Sequence, residues 1–181
     1  MGQVYVALLY SIVLTPRKRV VMADLRAMAE SLGLGNVRTL VSSGNLVFES
    51  GAGSVVELEG RLEAAFAKSF GRHVDIIVRT AEAWCELAAG NPFPEESGAM
   101  PDQVAVRVMR TPLPADADDR LRQAAAGGEK FAVVAGDPWI VFSRATPNSR
   151  LLAAMNQKRL GVGTARNWNT VRGLALMLSG Q

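Results

Sequence analysis

Soft metal ligands are almost missing from this chain: one cysteine, Cys85, and one histidine, His73, in 181 residues. A lone cysteine excludes a disulfide within the chain, and the pair is too few for an ordinary four-ligand structural zinc site. The expectation is therefore no metal, no cofactor and a reducing, cytoplasmic setting. Long hydrophobic runs are missing too. The run Val4 to Leu14 falls short of the roughly 20 residues that a membrane helix needs. No basic residue precedes it and its cations, Arg17, Lys18 and Arg19, follow it, so it reads as a buried strand and not as a signal segment. No membrane partner is expected. Phosphate-cradling Walker loops, Gly-x-Ser-x-Gly elbows and dinucleotide fingerprints are absent as well, so nothing assigns catalytic residues.

Apolar residues, by contrast, make up 49% of the chain and charged ones 20%, which supports a packed core and excludes disorder. Val4, Val6 and Leu8 alternate with Tyr5, Ala7 and Leu9, a strand apolar on both faces and so central in its sheet. After a basic loop, Met22, Leu25, Met28, Ala29 and Leu32 recur at helical spacing up to a stop at Gly33. Val37 to Ser42 and Leu46 to Glu49 read as strands around a Ser43-Gly44-Asn45 turn. Ser54 and Glu57 form a capping box for a helix carrying Leu58, Leu62, Ala65, Phe66 and Phe70, and Gly71 ends it. Val74, Ile76 and Val78 alternate in a further strand. A short helix capped by Thr80 runs to Ala89, and the Pro-, Glu- and Gly-rich stretch 91–101 is the candidate linker.

The same order then starts again. Gln103 to Arg110 is a strand, Pro114 to Ala126 a helix ending at Gly127-Gly128, and Gly136-Asp137 a hairpin turn between Phe131 to Ala135 and Trp139 to Phe142. Leu151 to Leu160 is a helix stopped by Gly161. An extended piece covers Val162 to Asn167, and Asn169 caps a final helix. The expected fold class is α+β: two tandem ferredoxin-like (βαββαβ, α-β plait) units with antiparallel sheets. They would cover residues 1–90 and 102–181, the second with an extra C-terminal helix. Val6, Leu8, Leu25, Leu62, Phe66, Ile76, Val106, Val108, Val141 and Leu174 are the expected core.

Charge is unevenly spread. From Arg144 onward the cations are Arg144, Arg150, Lys158, Arg159, Arg166 and Arg172, with no Asp or Glu. That asymmetry suits an anionic ligand or nucleic acid, and equally suits solvated helix faces. Arg166-Asn167-Trp168-Asn169-Thr170 is the densest chemistry in the chain. It offers a guanidinium fork for carboxylate or phosphate, two amides, a stacking indole and a helix start whose free amides favour an anion. The competing reading makes Asn169 a cap, Trp168 core and Arg166 half of an ion pair. Ser43, Gly44 and Asn45 form a second candidate set of ligand-binding donors, with a plain hairpin turn as the alternative. His73 beside Asp75 reads as an exposed loop residue. Tyr5 and Phe48 are too few aromatics for the stacking platform of an RNA-recognition motif.

Several runs carry a family resemblance: Val20 to Arg26, Gly35-Asn36-Val37-Arg38-Thr39, Ser43 to Phe48, Asn91-Pro92-Phe93 and Thr164 to Val171. Together they resemble the bacterial domain of unknown function 1697 family over nearly the whole chain. The resemblance implies two fused α-β plaits and no established activity. Members of that family usually follow the first strand with an Arg-Gly-Ile-Asn-Val-Gly-Gly-type loop, whereas this chain has Tyr10-Ser11-Ile12-Val13-Leu14-Thr15-Pro16. A function served by that loop is therefore in doubt here. Three classes stay open: a module binding an anionic ligand at the junction of the two units, a small-molecule enzyme using a cleft there, or a structural, partner-binding protein. Oligomeric state is not legible in the sequence.

Overall fold

The computed structural model describes residues 2–15, 18–41, 44–51, 53–125, 129–142, 151, 155 and 157–180. Two compact units divide the chain, Met1–Glu86 with Gly173–Gln181, and Leu87–Arg172. The protein is α+β, and its described residues form two four-stranded antiparallel sheets and a small two-stranded one.

The first unit runs β1 (Gln3–Leu9), β2 (Val13–Thr15), β3 (Lys18–Arg19), α1 (Met22–Ser31), β4 (Gly35–Thr39), β5 (Asn45–Ser50), α2 (Val55–Phe70), β6 (Ile76–Thr80) and α3 (Ala81–Ala89) as far as Glu86. Its main sheet has the order β4-β5-β1-β6. β1 is an inner strand, as its two apolar faces require. Tyr5, Ala7 and Leu9 pack with Leu46, Phe48, Leu25, Met28, Leu62 and Phe66 in the core beneath α1 and α2. Val6, Leu8, Val47 and Ile77 lie on the opposite face and are fully buried as well. The last part of the chain meets this unit: Arg38 Nη1 donates to Met177 O at 3.2 Å. A methyl group added at Gly173 would stand 2.8 Å from Leu40 Cδ2.

Local chemistry explains the boundaries. Ser54 Oγ accepts from Glu57 N at 3.3 Å while Glu57 Oε2 accepts from Ser54 N at 2.7 Å, the reciprocal capping box. Those bonds hold the Glu57 carboxyl below its ordinary pKa, so its share of the cap is complete at neutral pH and lost as pH falls. Gly71, with φ 71°, ends α2 in the left-handed region. The basic loop after β1 instead forms the hairpin β2–β3, held at its base by Val20 N on Ile12 O at 2.9 Å. Both of those residues are buried.

The second unit comprises α4 (Pro94–Ala99), β7 (Val104–Met109), α5 (Ala115–Ala124), β8 (Lys130–Val134), β9 (Asp137–Val141), the single turn Gln157–Leu160, β10 (Gly163–Asn167) and the start of the C-terminal helix Trp168–Ser179. Its sheet order, β10-β7-β9-β8, repeats the first when strands are matched by their place in the unit. The 91–101 stretch is not plain coil: α4 lies within it, with Ser97 buried and bonded to Asn91 at 2.7 Å. The hairpin turn is one residue earlier than its glycine suggested. Ala135 and Gly136 both have positive φ, 51° and 85°, which is what a two-residue turn between twisted strands demands. Asp137 belongs to β9 instead, buried, its Oδ1 accepting from Met109 N at 2.7 Å. The expected stop at Gly127-Gly128 lies outside the described residues. Leu151 does begin helical bonding, to Met155 N at 3.0 Å, and Gly161 closes the turn Gln157–Leu160. All ten residues expected in the core are buried. No helix among the described residues is long and apolar enough to cross a membrane.

Strand β6 is an edge, and two of its outward amides are occupied. Glu59 Oε1 accepts from Val78 N at 3.0 Å and Glu63 Oε1 from Ile76 N at 2.9 Å. Two acids one turn apart on α2 thus close an edge that would otherwise invite another strand. Glu59 is 5% exposed, so removing its acceptor strands a buried N–H at a cost of about 1–3 kcal/mol. Glu59→Leu is expected to lower the melting temperature by several degrees, whereas Glu59→Gln, which keeps an oxygen, recovers most of the loss. Equal melting temperatures for the Leu variant and the parent chain would contradict that role.

Candidate functional site

Pairing fixes which side chains share a face, because residues directly opposite each other on antiparallel strands project the same way. In the second unit Ile140 belongs to the core beneath α5, with Leu121, Leu151 and Met155. Its neighbour Trp139 therefore projects from the other face. Trp139 is opposite Val106, and Val106 is opposite Arg166. One row across the sheet is thus Arg166–Val106–Trp139–Ala132.

Arg166 is buried, with 7% of its surface exposed. Its Nη1 donates to Thr164 Oγ1 and to Ala165 O, each at 2.8 Å. Desolvation pulls the guanidinium pKa down to about 10, because a low-dielectric surrounding disfavours the charged form. Trp168 is half-buried, with its ring centroid 6.1 Å from that of Trp139 and a tilt of 51°. It is thus a contact partner of a core indole without being enclosed.

The helix cap differs from expectation. Asn167, not Asn169, holds the first turn: its Oδ1 accepts from Thr170 N at 3.1 Å and from Thr170 Oγ1 at 3.0 Å. The helix starts at Trp168, which places Asn169 inside the first turn, exposed. The sequence offered two asparagines two residues apart. What selects between them is that β10 continues to Asn167, leaving that residue in the extended geometry a cap requires.

The second candidate set is built into the first unit. Ser43 lies outside the described residues. Gly44 is buried at φ 75°, and a methyl there would stand 2.5 Å from Ile12 Cγ2 and 3.0 Å from Leu9 Cβ. Only glycine suits both that backbone and that contact. Asn45 is fully buried, its Nδ2 donating to Leu40 O at 3.0 Å. Gly44 and Asn45 thus close the β4–β5 turn.

Other sequence features resolve simply. Tyr5 and Phe48 stack at 5.7 Å inside the core, on the helix side, where no base can reach them. His73 and Cys85 are exposed. Two surface hollows in the first unit went unforeseen, one of about 560 Å³ lined by Arg26, Glu30, Asn36, Val37 and Arg38. The other, of about 660 Å³, is lined by Gly53, Glu57, Gly60, Arg61 and Ala64. Spacing alone could not reveal the first, since it needs a helix and an edge strand side by side.

The model of the family described as "Protein of unknown function (DUF1697)" matches residues 2–139. The chain belongs to that family. A solved structure titled as a conserved bacterial protein, SP0830 from Streptococcus pneumoniae, is similar at a TM-score of 0.75 and 23% identity, with 99% of each chain covered. At that identity the likeness concerns the fold. No protein of curated function matches. The family match ends before the Arg166 to Thr170 run, so those residues stand on their own geometry.

The cap assignment makes a direct forecast. Asn167→Ala is expected to cost about 0.5–2 kcal/mol of stability, the usual range for a lost N-cap. Asn169→Ala, within an exposed first turn, is expected to cost less than half of that. Chemical denaturation of the two variants side by side reads the difference, and the reverse order would contradict the assignment.

Proposed function

We propose that this DUF1697 protein consists of two tandem ferredoxin-like units joined through residues 91–101, and that the second unit binds an anionic ligand through Arg166. The fold reading is supported by the shared strand order and all-antiparallel pairing of the two main sheets. The ligand is a phosphorylated small molecule or a nucleic-acid phosphate, recognised by the guanidinium together with Asn167, Trp168, Asn169 and Thr170.

One observation carries the proposal: a buried arginine in the strand that leads straight into the first turn of a 12-residue helix. Taking a cation out of water is costly even where its protons are hydrogen-bonded. The sign of the linkage follows from the lowered pKa. The unfolded chain holds the Arg166 proton more tightly than the folded one, so charged Arg166 opposes folding at neutral pH, and the opposition fades as pH rises through about 10. An anion on Arg166 would reverse this, since an opposite charge favours the charged form. The helix start adds the positive end of its dipole and the amides of a first turn in which Asn167 already holds Thr170 N. Half-buried Trp168 and exposed Asn169 are the first two residues of that helix and give a stacking and a hydrogen-bonding group.

The test separates ligand binding from folding. Melting temperatures are measured for the parent chain and for Arg166→Met, each with pyrophosphate, mononucleotides and a short RNA. The parent chain is expected to melt higher with at least one anion. Arg166→Met, close in volume and uncharged, is expected to match or exceed the parent without ligand and to lose the anion-dependent rise. A charge-assisted bond of about 1.5–3 kcal/mol corresponds to a loss of roughly ten- to a hundredfold in affinity. An anion response that survives in Arg166→Met would sink the proposal. So would a parent chain that no anion stabilises.

A further inference from the structure

We propose that Glu63, His73 and Asp75 form a labile binding site for a divalent transition-metal ion in the first unit, independent of Arg166. One ligand atom from each lies within 4.8 Å of the other two. His73 Nε2 stands 3.7 Å from Asp75 Oδ1. That separation is too long for a hydrogen bond. It is close to the edge of about 3.4 Å that two ligands span around a tetrahedral ion at about 2.1 Å. Among the described residues His73 makes no hydrogen bond, and its imidazole is 63% exposed, free to turn the few tenths of an ångström that a shared ion requires.

The backbone holding the three residues is fixed before any ion arrives. Glu63 sits on α2 with Oε1 anchored by Ile76 N at 2.9 Å. Asp75 O accepts from Tyr10 N at 2.9 Å, and Val74, between the two loop ligands, is buried in the core. A carboxylate steadied by a backbone amide is the kind of second-layer support that metal ligands use. The count of soft ligands that argued against zinc overlooked the carboxylates: one imidazole and two carboxylates make a three-ligand set with open positions for water. An imidazole nitrogen in that set selects zinc, nickel or cobalt over magnesium and calcium, which prefer oxygen alone. Exposure makes the site exchangeable, unlike the enclosed sites that hold structural zinc.

His73 is the one imidazole in the chain, so its ring signals in a proton NMR spectrum report on this site alone. The untagged full chain is titrated with zinc chloride, with magnesium chloride as control, and binding is followed by those signals and by calorimetry. One zinc per chain is expected, with His73 ring signals shifting in step with the heat and no change on adding magnesium. His73→Ala and Asp75→Asn are each expected to weaken binding at least tenfold. Cys85→Ser, which removes the other soft ligand, is expected to leave it unchanged. Zinc binding that depends on Cys85, or that leaves the His73 ring signals unmoved, would overturn the proposal, as would the absence of any zinc binding.

Discussion

An inner strand of each main sheet is buried on both faces, and that constraint organises the rest of the molecule. Val4 to Leu9 and Val104 to Met109 cannot leave either face to water, since every residue from Tyr5 to Leu9 and throughout β7 is buried. A βαββαβ unit supplies helices to one face alone. In the first unit α1 and α2 cover Tyr5, Ala7 and Leu9, while Gly173 and Met177 of the C-terminal helix touch Leu40 and Arg38. In the second unit the same demand buries Trp139, Val106 and Arg166 in one row. An arginine in such a row is unexpected if stability were the only criterion, and that is why it carries the functional proposal.

Matching strands by their place in each unit adds a detail. Arg79 in β6 is opposite Val6 in β1, as Arg166 in β10 is opposite Val106 in β7. The two units thus place an arginine at the same point of the last strand, beside the same residue of the first. Polar groups elsewhere do structural work of a plainer kind. Glu59 and Glu63 occupy the amides of an edge strand, Asp137 reaches a central strand, and Asn45 closes a turn.

Period and punctuation made most of the fold legible. The alternation in Val4 to Leu9, the Ser54/Glu57 box and the Gly71 stop are local signals, and each holds in the structure. What escaped was set by contacts distant in sequence. The β2–β3 hairpin depends on Ile12 and Val20 finding the same core, and Asp137 looked like a turn residue until its carboxylate met Met109. Nothing local marks Glu59 and Glu63 as acceptors for β6, because only the folded chain brings them to its edge amides. For the candidate site, sequence singled out Arg166 and a helix start beside it. It did not reveal that Arg166 is buried, since that follows from pairing with Val106. The cap fell to the wrong asparagine because strand and helix abut with no loop between them.

The most direct measurement of the central claim is arginine side-chain NMR of the chain labelled with nitrogen-15, with the Arg166 Nε–H signal assigned by its loss in Arg166→Met. A desolvated guanidinium exchanges its protons with water slowly. The account predicts that the Arg166 signal persists without ligand and shifts in a saturable way on titration with pyrophosphate. Shifts confined to surface arginines such as Arg26, Arg122 and Arg172, with Arg166 unmoved by that or any other phosphorylated compound, would contradict it.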